Sequence, residues 1–502
     1  MRIETMSKIV LINFVSGTYG HRMVSAVLKK SGFDVYNIYM GGTILQDGGK
    51  VSEKELQSLD GLLDDIKPDM LGISVLTMFE HLNSEILTGR IKKKYGIPIM
   101  WGGAYPSLMP EFCMERSGAD YVCVGESEQT VVELCRNVTA GKPAAGVAGV
   151  MTRESRTYWP PTAAYELDAL PFQDVSNEGA CSILSDGAIK EGDPMLNGLY
   201  IHGDKVYTTR TSRGCPFKCT YCSEPSLRTK HGRAVVRSKT VAQALEEIHY
   251  VFSKYPFKSV YFTSDNLFLN KEFAFQFLPR FKREIGTPFY CQMRVEFIDA
   301  EVARLLREAG CFMVGIGVES GSARVRREIL GRDMSNEALI RGCRYLQNQG
   351  IMVNAYNMLG IPGETFEEAL QTLNLNIEIN PTTSWISFFQ PYPGTKITET
   401  LLQQGLITRE IFDHIPASYF EKSVLLQGDR HLWTNLQRLF QLLVRFPRMA
   451  IFARSLCKIR IPRIYDLFFV MSFYRYVLLA YNKGCLEALG KVLKNALEAQ
   501  RA

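Results

Sequence analysis

Three cysteines, Cys215, Cys219 and Cys222, stand in TSRGCPFKCTYCSEP with the spacing CxxxCxxC, while the other nine of the 502-residue chain are scattered. Thiolates so spaced can converge on one soft-metal centre, in a loop that Gly214 and Pro216 would shape. Four cysteines close a zinc site or complete an iron–sulfur cluster. Three leave one iron of a 4Fe–4S cluster open to bind a small molecule. A zinc knuckle borrowing a distant ligand such as His231, or three incidental thiols, are the alternatives.

Further along, CQMRVEFID offers Gln292 and Arg294, polar groups of the kind that give charge-assisted hydrogen bonds to a zwitterionic ligand. GIGVESGS carries Glu319 and Ser320; a carboxylate buried there without a partner would be costly. In NMLGIPGET, Gly360 and Gly363 would let backbone approach a ligand. Asp265 and Asn266 in FTSDNLF either face a cavity or close a plain turn.

These residues need elements to hold them, and the chain shows two runs of alternating strand and helix patterns. KIVLINF, DVYNIYM, DMLGISV, IPIMWGG and ADYVCVG read as five strands with helices between them, a doubly wound parallel sheet over residues 1–140. Residues 141–204 are rich in Pro, Gly and Ala without a sustained period, and read as a linker draped over the next domain. From 205 to 404, KVYTTRTSRG, SVYFTSD, FYCQMRVE, FMVGIGVES, MVNAYNMLG and SWISFFQPYPG are six βα units, a partial (β/α)6 barrel with its chemistry at the C-terminal strand ends. The cysteines follow the first of these strands. The fold class is therefore α/β, with a helical region over 405–502.

Length supports more than one core, and 46% hydrophobic with 22% charged residues is ordinary globular composition. Dilute cysteines in apolar runs suggest reduced thiols and a cytoplasmic setting, and the N-terminus has no signal-peptide pattern. Net charge is +6, yet residues 430–502 hold thirteen Lys and Arg against three Asp and Glu. This tail reads as a helical cap, or as an amphipathic surface in peripheral contact with anionic lipid, its apolar stretch being too short for a span.

CxxxCxxC with an aromatic before the last cysteine, on the first strand of a six-unit βα barrel, resembles the radical S-adenosylmethionine superfamily. The resemblance implies a 4Fe–4S cluster on Cys215, Cys219 and Cys222, whose open iron chelates S-adenosylmethionine and whose electron cleaves it to an adenosyl radical. Tyr221 would pack near the adenine, and Gln292, Arg294, Glu319, Ser320, Gly360 and Gly363 would hold the rest of that molecule. An electron donor such as flavodoxin or ferredoxin is implied as a partner.

The N-terminal region is similar to cobalamin-binding domains. Ser74-Val75-Leu76 at the third strand, Gly102-Gly103 after the fourth and Gly125-Glu126 after the fifth stand in the motif places, with Gly20 as the first-loop glycine. Val15 and Gly17 replace that loop's Asp and His, so the histidine that would ligate cobalt from below is absent; neighbouring His21 reads as a surface residue.

Together the two regions resemble cobalamin-binding radical enzymes, which include methyltransferases of carbon or phosphorus and the anaerobic cyclase of the bacteriochlorophyll pathway. The resemblance implies radical methylation of a small-molecule or lipid-like intermediate, or alternatively a cyclisation without methyl transfer. A methylthiotransferase of transfer RNA would need a second cluster, for which only Cys113, Cys123 and Cys135 offer themselves, on core-like patterns. No nucleic acid is therefore expected. A non-catalytic corrinoid-binding module is the remaining class, opposed by the intact cysteine triad.

Overall fold

The computed structural model describes residues 6–14, 18–40, 50–158, 166–196, 205–231, 236–416, 419–420, 422–426 and 429–481. Two compact units emerge. One comprises residues 1–205 with 223–235 and 392–395; the other comprises 206–222, 236–391 and 396–502.

In the first unit, β1 (Lys8–Asn13), β2 (Asp34–Met40), β3 (Met70–Ser74), β4 (Ile99–Gly102) and β5 (Tyr121–Cys123) are parallel. Their order, β5-β4-β3-β1-β2, reverses between β1 and β3. Ligands of such sheets bind beyond the carboxyl ends of the strands at that switch point. The strands are apolar on both faces because helices cover both: Ile9, Leu11, Val35, Met70 and Met100 pack with Leu28, Val131, Leu134 and Cys135.

The expected linker is not one. Its described residues form β6 (Val150–Thr152), β7 (Ala180–Ile183) and β8 (Ile189–Glu191), which extend the same sheet at both edges. β6 runs antiparallel to β5, β7 parallel to β2, and β8 antiparallel to β7. Strands of three or four residues are too short to show a period, so pairing with an existing edge defines them. The buried Arg22–Asp193 ion pair, with the guanidinium donating to both carboxylate oxygens at 2.7 and 3.1 Å, ties this segment to the helix Tyr19–Lys30.

In the second unit, β9 (Val206–Thr209) is followed by a short antiparallel pair of β10 (Ser212–Arg213) with β11 (Arg237–Ser238). β12 (Ser259–Phe262), β13 (Phe289–Met293), β14 (Cys311–Glu319), β15 (Met352–Leu359) and β16 (Thr383–Phe388) complete a six-stranded parallel sheet, in the order β16-β15-β14-β13-β12-β9. All six expected barrel strands are present. Phe262 and Phe289 point to the helix side and pack on Phe277 and Phe281, so alternation turns Tyr261, Tyr290 and Gln292 to the opposite face. The helix Arg430–Arg445 then buries Trp433, Leu436, Phe440 and Leu443 against Leu373, Ile386 and Phe388.

On β9, Tyr207 and Thr209 share one face and donate to Glu247 of the helix Val241–Lys254 at 2.7 and 2.8 Å. The Lys239 ammonium pairs with the same carboxylate, and both side chains are buried. This network fixes the strand from which the cysteine loop departs. Glu247→Gln leaves the ammonium buried without its counter-charge. The expected result is a loss of about 3–5 kcal/mol, read as a lower urea midpoint.

Candidate functional site

The cysteine loop is ordered by partners on three other elements. At its start, the Ser264 hydroxyl beyond β12 accepts from the N–H groups of Thr211 and Ser212, at 3.1 and 3.3 Å. Thr220 donates its N–H to the Leu330 carbonyl at 3.0 Å and its hydroxyl to that of Ile329 at 2.6 Å. The Thr220 carbonyl in turn accepts from Ile397 N–H at 3.0 Å. Gly331, at φ 64°, allows the close approach, since a Cβ there would lie 3.2 Å from the Lys218 carbonyl oxygen.

Arg294, one residue past β13, lies against this loop. Its guanidinium carbon stands 3.6 Å from the centre of the Phe217 ring, and it donates to the Cys219 sulfur at 3.4 Å. Glu296 accepts from it at 3.2 Å. Cys219 is buried while Cys215 and Cys222 are half-buried. Among the described residues no three His, Cys, Asp or Glu close around one ion. Three sulfur donors, one of them accepting from a guanidinium, are a soft donor set of the kind that suits an iron–sulfur group. The side chain of His231 lies outside the described residues.

Tyr221 does not stand alone beside the cysteines. Its hydroxyl donates to Glu319 at 3.0 Å and accepts from Arg332 at 3.1 Å. Arg332 also donates to the Gly317 carbonyl at 2.8 Å and lies 3.6 Å from the Glu319 carboxylate. Burial pushes the Glu319 carboxyl up, opposed by Arg332 and by the Tyr221 hydroxyl. The charge on Arg332 is held well by the same groups despite its own burial. Glu319 adopts φ 65°, a left-handed backbone that a non-glycine residue holds only where its surroundings impose it. Sequence reasoning missed Arg332, since a lone arginine in a loop carries no pattern.

The remaining expected residues fall in several places. Gln292 donates to Tyr261 at 2.6 Å on the sheet face away from the helices. Ser320 is fully buried; its hydroxyl accepts from Ser322 N–H at 3.2 Å and shapes the turn after β14. Asn266 closes a turn by accepting from Phe268 N–H at 3.0 Å. Gly363 is exposed at φ 76°. Gly360, at φ 69°, donates its N–H to Glu364 at 2.9 Å, and Ile361 N–H reaches the same oxygen at 3.2 Å.

In the first unit, the cobalamin-type residues gather at the C-terminal strand ends. Ser74 ends β3, Gly102 ends β4, and Gly125 and Glu126 follow β5. Gly103 has φ 115°, and a Cβ would lie 2.4 Å from the Val75 carbonyl oxygen, so only glycine fits. Gly20, exposed in the first turn of the helix after β1, has nothing within 4 Å of the place a Cβ would take. Gly125 N–H donates to Ser107 at 2.8 Å. Leu76 donates to the buried Glu80 at 2.6 Å, and its carbonyl accepts from Tyr392 at 2.8 Å. Val15 and Gly17 lie outside the described residues. His21 is not at the surface: it is buried beside Tyr39, ring centres 5.2 Å apart, and burial lowers its pKa to about 3. Cys113, Cys123 and Cys135 are core residues, each thiol pushed up by burial.

Glu364 and Glu80 are the polar anchors of two of these loops. Burial raises Glu364 to about 8 and Glu80 to about 7. Below the ordinary carboxyl value of 4.5 both folded and unfolded chains hold the Glu364 proton; between there and about 8 only the folded chain does. Stability therefore falls as pH rises through that window and levels above it. Glu364→Gln removes this contribution, so the variant should gain on the native chain from about pH 5 to about pH 8 in parallel unfolding titrations.

Residues 10–135 match the B12 binding domain and residues 209–375 the Radical SAM superfamily. The chain is 25% identical over 374 residues to an uncharacterized methyltransferase of Pyrococcus horikoshii, covering 71% of this chain and 76% of that protein. It is 23% identical over 344 residues to the anaerobic magnesium-protoporphyrin IX monomethyl ester cyclase of Rubrivivax gelatinosus, covering 67% and 59%. Its fold is similar to that of the radical S-adenosylmethionine methyltransferase TsrM from Kitasatospora setae, solved with tryptophan substrate and a SAM analogue. The TM-score is 0.64 at 19% identity, over 79% of this chain and 76% of that one.

Proposed function

Because this chain is a radical S-adenosylmethionine enzyme with an N-terminal B12 binding domain, we propose that it methylates an unactivated carbon, or a phosphorus, of a small-molecule or lipid-like intermediate. One observation carries the reading: a three-cysteine loop ordered by its own protein partners occurs in one chain with a doubly wound sheet whose order reverses between β1 and β3 and whose β3 and β4 end at Ser74 and Gly102. When bound, the 4Fe–4S cluster and S-adenosylmethionine supply a radical, and cobalamin supplies a methyl carrier.

The chain's own residues hold and orient these groups. Cys215, Cys219 and Cys222 are the cluster ligands. Glu319 offers a carboxylate to the amine of S-adenosylmethionine, and Arg332 and Arg294 offer guanidinium groups to its carboxylate, as charge-assisted pairing requires. Tyr221 links Glu319 to Arg332 and keeps both in place. Gln292 faces the inner side of the sheet, the Gly360–Gly363 turn offers backbone to the adenine, and Ser320 positions Glu319. Ser74, Leu76, Gly102, Gly103, Gly125, Glu126 and Gly20 would hold cobalamin, to which residues 14–18 after β1 offer no histidine. A low-potential electron donor such as flavodoxin or ferredoxin would supply the electron.

A second reading, cyclisation without methyl transfer, draws on the similarity to the magnesium-protoporphyrin ester cyclase. Methyl-labelled S-adenosylmethionine separates the two. The protein, reconstituted anaerobically with iron, sulfide and cobalamin, is incubated with a small-molecule extract of its source cells. Label in a new organic product is expected; turnover to 5′-deoxyadenosine with unlabelled product would favour cyclisation.

Arg294 supports a further expectation. A positive charge against a cluster thiolate stabilises the reduced, more negative state. Arg294→Gln should shift the cluster midpoint to more negative values in a redox titration followed by electron paramagnetic resonance, with circular dichroism unchanged.

A further inference from the structure

Nine of the fifteen exposed large apolar side chains among the described residues fall within residues 446–471. Ile451 is 81% exposed, Phe452 62%, Met471 58% and Leu467 54%. Isolated exposed apolar residues are ordinary, whereas a run of this density marks a contact surface. Interspersed among them are exposed Arg448, Lys458, Arg460 and Arg463, and Arg454, which pairs with Glu367. The segment's one acidic residue, Asp466, is engaged by Arg438 at 2.8 Å.

The outward apolar side chains do not come from a detached segment. Its other face is anchored: Ala453, Cys457 and Tyr465 are buried with Leu436 and Leu439. Asn435 donates to the carbonyls of Cys457 and Ile459 at 2.8 and 3.0 Å, and the Tyr465 hydroxyl donates to the Leu456 carbonyl at 2.8 Å. Inner face and outer face are both apolar, and among the described residues the inner one is covered while the outer one is exposed.

We propose that residues 446–471 form an interfacial docking surface for an anionic phospholipid bilayer. Isoleucine, leucine, methionine and phenylalanine side chains suit the acyl boundary, and the arginines and lysine suit the headgroup phosphates above it. A second copy of this chain fits less well, because a two-fold contact would lay one cationic patch on another. Docking here is peripheral: no helix among the described residues is long and apolar enough to cross a membrane. The inference stands independently of the reaction catalysed.

The test is flotation of the full-length protein with vesicles of phosphatidylcholine alone or mixed with phosphatidylglycerol. Flotation with the anionic vesicles only, lost on raising salt, is expected. Ile451→Glu combined with Phe452→Glu should abolish it while circular dichroism and cobalamin retention stay unchanged. Arg448→Gln with Arg460→Gln and Arg463→Gln should erase the preference for anionic lipid. Absence of flotation at low salt, or flotation undiminished in the glutamate variant, overturns the proposal. So does a native dimer that the glutamate variant converts to monomer in light scattering, which would assign the surface to a second copy.

Discussion

The second unit depends on ordering the loop of residues 214–222. Its two aromatic side chains pack, Phe217 against Phe297 and Arg294 and Tyr221 against the cluster of Val325, Leu330 and Ile361, and its backbone is held by hydrogen bonds. Thr220 donates N–H and hydroxyl to consecutive carbonyls at the end of the π-helical turn 325–329, and Ser264 receives two loop N–H groups. A loop fixed by the protein can present its thiols without first paying the ordering entropy from ligand binding.

That turn is itself held by a buried cation. Arg326 is fully buried and donates to the carbonyls of Ser320 and Met334 and to the Asn336 side chain, with no carboxylate in the set. Burial lowers its pKa to about 10, so it stays charged at neutral pH. Carbonyl dipoles solvate it in place of water. Six residues on, Arg332 takes the opposite solution and pairs with Glu319 through Tyr221. The chain leaving β14 is thereby fixed at two points, one dipolar and one ionic, on either side of the turn that Thr220 grips.

The parallel strands were legible because burial on both faces writes long apolar runs, and β1 to β5 and all six barrel strands follow from them. The cysteine triad was legible because function demands a residue type at a spacing. What stayed hidden depends on tertiary partners. β6, β7 and β8 are too short to show a period, and β7 exists by pairing with Asn37–Met40 of β2. Arg332, Ser264 and Glu80 are single polar residues in loops, whose roles arise only when distant backbone is brought to them. His21 misled for the same reason: a helix start next to a glycine looks solvent-facing until β2 is laid beneath it.

The two units solve one problem in the same way. A loop at the carboxyl end of a parallel strand must expose backbone to a ligand yet keep its other N–H groups satisfied. In the first unit Glu80 accepts from Leu76 and Thr77 after β3; in the second Glu364 accepts from Gly360 and Ile361 after β15. Both carboxyl groups are raised by burial, so each is a worse anion than a surface glutamate and a better fit to N–H dipoles than to a full positive charge. Using a glutamate from the following segment ties loop shape to the helix behind it. A ligand that pulls on either loop must therefore pull on a helix, which adds to the burial of Val75 and Ile361 in giving the loops the stiffness of the sheet.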